Sequence, residues 1–130
     1  MNAPNYKIAK HLEATLNKHL RLNNYHNVKN STNLATDLTK IKLNENHKLI
    51  TYDIKDLYVN IPIEETLTIT KSLLLKSNAT QITQQIITVM KIILSYSYFT
   101  FQNKIYQPEK GVSMGTAISS TVTEILLQHL

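Results

Sequence analysis

Two stretches of the chain carry residue types whose spacing could do chemistry. In the first, Leu49 to Pro62, an apolar alternation ends on a carboxylate: Ile50, Tyr52 and Ile54 fall on one side, Thr51 and Asp53 on the other. A strand that delivers Asp53 at its end, followed by a tight turn, suits a hard divalent cation. Mg²⁺ takes oxygen ligands and usually only one or two carboxylates. Asp53 is the candidate ligand and the carbonyl of Ile54 a second. Tyr58, five residues on, could lie under a nucleotide's sugar if the turn is compact. The plainer alternatives are a surface Asp53 and a core Tyr58. The second stretch is Gly111-Val112-Ser113-Met114-Gly115 and on to Ser119 and Ser120. Two glycines four apart let backbone approach a bulky partner closely, and the loop leads into a helix start that favours anions. A simple hairpin-to-helix connection fits the same residues.

These stretches need elements to position them. Ile8, Leu12, Leu16 and Leu20 predict an amphipathic helix over 5–21, with Lys7, Lys10, His11, Lys18 and Arg21 on its opposite side. That basic face is either a phosphate-facing stripe or a solvated surface. Ser31 is placed to cap a helix near 32–42, with Leu34, Leu38 and Ile41 on one face. A strand is expected over 49–54. Pro62 opens a helix to about 76, with Glu64 and Glu65 in its first turn and Lys76 at its end, as the helix dipole favours. Thr80 caps another over 81–96. Residues 98–101 and 104–107 read as a hairpin around Gln102-Asn103, since Asn tolerates the left-handed conformation. A last helix runs from the glycine loop, with Ile118, Val122, Ile125 and Leu126 inward. It meets the final residue without a C-cap, which reads as truncation.

The charge is uneven. The 130 residues carry 14 Lys+Arg against 9 Asp+Glu. Residues 1–48 hold eight basic and three acidic groups, and residues 49–130 six of each, so the whole surplus of +5 lies in the first part. A basic region beside an acidic centre suits a nucleic-acid enzyme that holds phosphates in one place and metal ions in another; an ordinary lysine-rich surface gives the same balance. Cysteine is absent, which excludes a disulfide framework, Cys-based zinc sites and a Cys nucleophile. No apolar run approaches the length of a membrane span and no targeting signal is visible, so no membrane partner and a nuclear or cytoplasmic location are expected.

In this order and spacing the two stretches resemble the palm of a reverse transcriptase. Tyr52-Asp53-Ile54-Lys55-Asp56-Leu57-Tyr58-Val59-Asn60-Ile61-Pro62 is similar to motif A of retroelement polymerases, and its Asn-Ile-Pro ending is closest to Penelope-like elements. Tyr98-Phe99-Thr100-Phe101 with Lys104 and Tyr106, then Gly111 to Gly115 and Ser119, resembles their aromatic hairpin and motif B. Val28-Lys29-Asn30-Ser31 resembles a short element of that group's fingers region.

The resemblance implies an α/β (α+β) fold, helix-rich with a short sheet and an aromatic β-hairpin, forming part of the fingers and palm of a right-hand polymerase. Residues 1–48 would be a basic, helical, fingers-like segment. Residues 49–130 would be a partial palm with motif A at 49–62 and motif B at 111–120, stopping before motif C. The 49–54 strand would then lie beside the last helix, with helix 81–96 packed on the sheet. The activity implied is template-directed DNA synthesis from dNTPs on an RNA or DNA template-primer, a nucleotidyltransferase reaction of a transposable element that uses two Mg²⁺ ions. Asp53 would be the catalytic aspartate and metal ligand, with the Ile54 carbonyl beside it. Asp56 would lie near the triphosphate, Tyr58 at the gate against a ribose 2′-OH, and Gly111, Met114, Gly115 and Ser119 along the wall by the nascent base pair. Nucleic acid would meet Lys7, Lys10, Lys18, Arg21 and Lys29.

The departures are specific. No Asp follows Asp56, so the second acidic box, Tyr-x-Asp-Asp, is not in this sequence, and only half of the ligands for the two-ion site are present. Motif B usually has Pro where Ala117 and Ser120 stand, and commonly Gln where Pro108 stands. Hence two expectations: a polymerase portion inactive alone, or a non-catalytic nucleic-acid-binding remnant of a decayed copy.

Overall fold

Helical periodicity decides most of the architecture. The computed structural model describes residues 5–20, 22 and 27–130. In chain order its elements are α1 (Tyr6–His19), α2 (Ser31–Lys40), a 3₁₀ turn (Tyr58–Asn60), α3 (Ile63–Lys76), α4 (Thr80–Ser95), β1 (Phe99–Phe101), β2 (Lys104–Tyr106) and α5 (Ser119–Leu127). The fold is helix-rich α+β. Among the described residues the sheet is a single antiparallel pair, with Phe99 opposite Tyr106, Thr100 opposite Ile105 and Phe101 opposite Lys104.

The chain divides into two compact units, Met1–Leu22 with Asp56–Leu130, and Asn23–Lys55. This differs from the expected division at residue 48, because α1 shares its core with the later helices. α4 packs on α3 and on α1, and α5 on α3 and α1. Leu16, Leu74, Met90, Ile118, Val122 and Ile125 fill the centre of that packing and are fully buried. Ile8, expected inward, is exposed, and Ala9 takes the inward position with Leu12 and Leu16. Helix α4 therefore covers other helices and not a central sheet.

Several threonines are buried in this core, which is affordable only because each hydroxyl finds an acceptor. Thr66 donates to the Pro62 carbonyl, Thr70 to that of Thr66, Thr83 to that of Ala79 and Thr123 to that of Ser119, all at 2.7–2.9 Å. Helix α3 ends where Asn78 turns left-handed (φ +61). The Ala79 N–H then reaches back to the Leu74 carbonyl and the Asn78 N–H to that of Leu75, while buried Ala79 follows the same turn as buried Leu74.

The second unit is built differently. Asn30, not Ser31, caps α2, its side-chain oxygen accepting from the Asn33 N–H at 2.9 Å. Every described residue from 27 to 55 is exposed. The strand expected over 49–54 does not form: those residues carry no regular structure. An alternating pattern makes a strand only when a neighbour takes its hydrogen bonds, and among the described residues only β1 and β2 pair.

Candidate functional site

The strongest convergence of sequence-singled residues lies where 56–62 meets 110–119. Asp56 adopts the left-handed region (φ +54), and its carbonyl accepts from the Asn60 side-chain amide at 3.0 Å. This turn feeds the 3₁₀ turn, closed by the Asn60 N–H on the Leu57 carbonyl at 3.1 Å. The Tyr58 carbonyl then accepts from the Val112 N–H at 2.8 Å. Gly111 sits directly on this turn: with φ +78, a Cβ there would meet the Cα, C and O of Val59 at 2.5 Å. Only glycine allows that approach. Lys110 adds a bond from its ammonium to the Asn60 side-chain oxygen at 3.0 Å. Ile61 and Val112 are buried beside the junction.

The remaining loop residues divide into a closed side and an open side. Ser119 is buried; its hydroxyl donates to the Ser113 carbonyl at 2.6 Å and also contacts the Thr116 hydroxyl. Its role is to hold the loop shape at the start of α5. That bonding also explains why α5 begins at Ser119 and not directly after Gly115. Met114 is 75% exposed, and Gly115 (φ +91) has open space where a Cβ would point. Tyr58 is half-buried, its ring packed against the hydrophobic core. It therefore serves the core.

Asp53 and Ile54 belong to the other unit, where both are exposed in the irregular stretch 49–54. Among the described residues no group of three or more His, Cys, Asp or Glu gathers as metal ligands. One carboxylate cannot hold two divalent cations against their mutual repulsion, so the residues present do not make up a two-ion site.

Of the expected nucleic-acid contacts, Lys7, Lys10 and Lys18 are exposed on α1, and Lys29 is exposed ahead of α2. Arg21 lies outside the described residues. A feature that periodicity does not reveal is a cleft of about 480 Å³ at the C-terminal ends of α1 and α3, where Lys18 and His19 face Lys76 and Asn78. The signal was present in the two basic helix ends, but nothing in the sequence says that they share a wall. Likewise the Lys110–Asn60 contact joins residues fifty apart, and no spacing rule predicts it. No helix among the described residues is long and apolar enough to cross a membrane.

No family model matches the chain, and no curated protein and no solved structure matches it either.

Proposed function

We propose that this chain is a portion of a retroelement reverse transcriptase, of Penelope-like type, carrying motifs A and B of the palm and insufficient alone for polymerisation. One observation carries the reading. The tail of the motif A-like stretch and the head of the motif B-like stretch, fifty residues apart in sequence, are locked together by the Tyr58–Val112 hydrogen bond and by the contact of Gly111 with Val59. Close packing of these two segments is what two parts of one palm would require, and only glycine at 111 permits it. In this reading Asp53 and the Ile54 carbonyl would be the chain's contribution to holding Mg²⁺, and the cation would supply Lewis-acid stabilisation of phosphoryl transfer. Tyr58, Asp56 and the open side of the loop at Met114 and Gly115 face the incoming dNTP, and the basic face of α1 binds template-primer phosphates.

A second reading, a non-catalytic nucleic-acid-binding remnant, is favoured by the exposed, irregular course of residues 49–54. The two are separated by a chimera. The chain is joined to a downstream segment from a Penelope-like reverse transcriptase that supplies the Tyr-x-Asp-Asp box and thumb. Primer extension with dNTPs and Mg²⁺ is expected, and Asp53→Asn is expected to abolish it, because the amide lacks the charge that the cation needs. Tyr58→Ala is expected to keep dNTP incorporation and to admit rNTPs. A folded chimera that binds primer-template and extends nothing would establish the remnant reading.

A further inference from the structure

The hairpin and the residues leading into it display a row of exposed aromatic side chains. Tyr96, Tyr98, Phe99, Phe101 and Tyr106 are all exposed, Phe101 by 60%. The register sorts them. Phe99, Phe101 and their cross-strand partners Tyr106 and Lys104 share one face, and Thr100 and Ile105 the other. On the first face the Phe99 and Tyr106 rings are already stacked, with centroids 5.5 Å apart and planes 17° off parallel. Next to that stack on the same face stands Phe101, with Lys104 as its cross-strand partner. The hairpin is held in this pose by the type I′-like turn at Gln102 and Asn103, both left-handed, and by the Gln107 side-chain amide on the Ser95 carbonyl at 2.7 Å. A two-stranded ribbon is marginal by itself, and rings left in water do not help it.

We infer that this face is a stacking platform for single-stranded nucleic acid, with bases on Phe101 and on the Phe99–Tyr106 pair and a phosphate at Lys104. The chemistry favours this occupant over an apolar protein surface. Flat rings set beside a cation match a chain that alternates flat bases with anions, and stacking is sequence-tolerant because every base has a π-face. A duplex keeps its bases stacked on one another and offers these rings nothing. The site needs neither metal nor the polymerase chemistry proposed above, and it stands if that reading fails.

The test uses the full 130-residue chain and fluorescently labelled oligo(dT) and oligo(U), with a duplex of equal length as comparison. Single strands should bind more tightly than the duplex. Phe101→Ala should weaken single-strand binding by about 5- to 150-fold, and Phe101→Trp should restore it. Lys104→Ala should lower the slope of log K against log salt by about 0.7. Phe101 is not part of the core, so the alanine variant should keep its circular dichroism and melting. As a measurement independent of any variant, photo-cross-linking of a 4-thiouridine oligonucleotide to the unsubstituted chain should mark peptides within 98–106. Cross-links confined to α1 would overturn the inference, as would Phe101→Ala binding like the parent. A hairpin-dependent dimer in sedimentation, with no cross-link to the hairpin, would assign the face to a second copy instead.

Discussion

Helices α2 and α4 both show an apolar stripe in sequence, yet they end in opposite conditions. α4 buries Thr83, Ile86, Met90, Ile93 and Leu94. α2 buries nothing, and Leu34 and Leu38 remain exposed. The stripe is thus a requirement for burial and no guarantee of it. What α4 has is α1 and α3 to pack against; what α2 has is a good N-cap. Most helical stability in proteins comes from packing, and an isolated ten-residue helix is marginal in water. The described part of the smaller unit, 27–55, is therefore held by local bonds, and the unit around α4 by a shared core.

The largest test of that contrast is truncation. Met90→Ala should destabilise the chain by about 2–5 kcal/mol, since it removes a fully buried side chain and leaves a cavity. Leu34→Ala should change global stability by less than about 0.5 kcal/mol. Chemical denaturation measures both. Native-state hydrogen exchange should agree, with amides of 31–40 exchanging far ahead of those in α4. Equal losses from the two truncations would show that α2 is packed after all.

The two glycines of the 111–115 loop sharpen the same contrast at single-residue scale. Both have positive φ, but only Gly111 is pressed on backbone. Gly111→Ala should cost about 2–4 kcal/mol, because a left-handed alanine costs about 1–2 and the Val59 clash adds overpacking strain. Gly115→Ala meets open space and should cost only the conformational part, about 1–2 kcal/mol. Melting of the two variants ranks them. A Gly115→Ala loss as large as that of Gly111→Ala would mean that the contact with Val59 carries no energy.

Where the period was long and the partner lay inside the same chain, the fold was legible. Residues 5–21, 62–76 and 81–96 read as helices and form them within a few residues, and Gln102-Asn103 read as the turn that it is. The missing strand has a specific cause. Ile50, Tyr52 and Ile54 alternate as a strand does, but a strand is a relation between two segments, and periodicity describes only one. For the candidate site, the glycine loop and the Tyr58 turn were legible as separate pieces, but their mutual contact was not; the resemblance implied only that a 49–54 strand would lie beside the last helix, and that strand does not form. That Ser119 would serve as a loop tie, with its hydroxyl on the Ser113 carbonyl, was not legible, because a serine at a helix start has many possible acceptors.

A smaller effect separates local from global stability. Asn30 caps α2 through the Asn33 N–H. Asn30→Ala should cost that helix about 1 kcal/mol. Because α2 buries no residue, the loss should appear as faster exchange over 31–40 and slightly lower helicity, with the main melting transition unmoved. A shift of that transition by several degrees would link the two units energetically.

The smallest expected effect concerns the outer tie of the motif junction. Lys110 reaches Asn60 at 3.0 Å, but both side chains are exposed. Water replaces such a bond at little net cost, so Lys110→Ala should change stability by no more than about 0.5 kcal/mol. The buried backbone bond from Val112 to Tyr58 and the fit of Gly111 on Val59 remain in that variant and hold the same two segments. The junction should therefore survive Lys110→Ala and fail with Gly111→Ala. Nuclear magnetic resonance shifts of the Val112 amide distinguish the cases: unchanged in the first variant, displaced in the second. Displacement by Lys110→Ala alone would move the weight of the junction from its backbone to its surface, and with it the argument that close glycine packing joins the two segments.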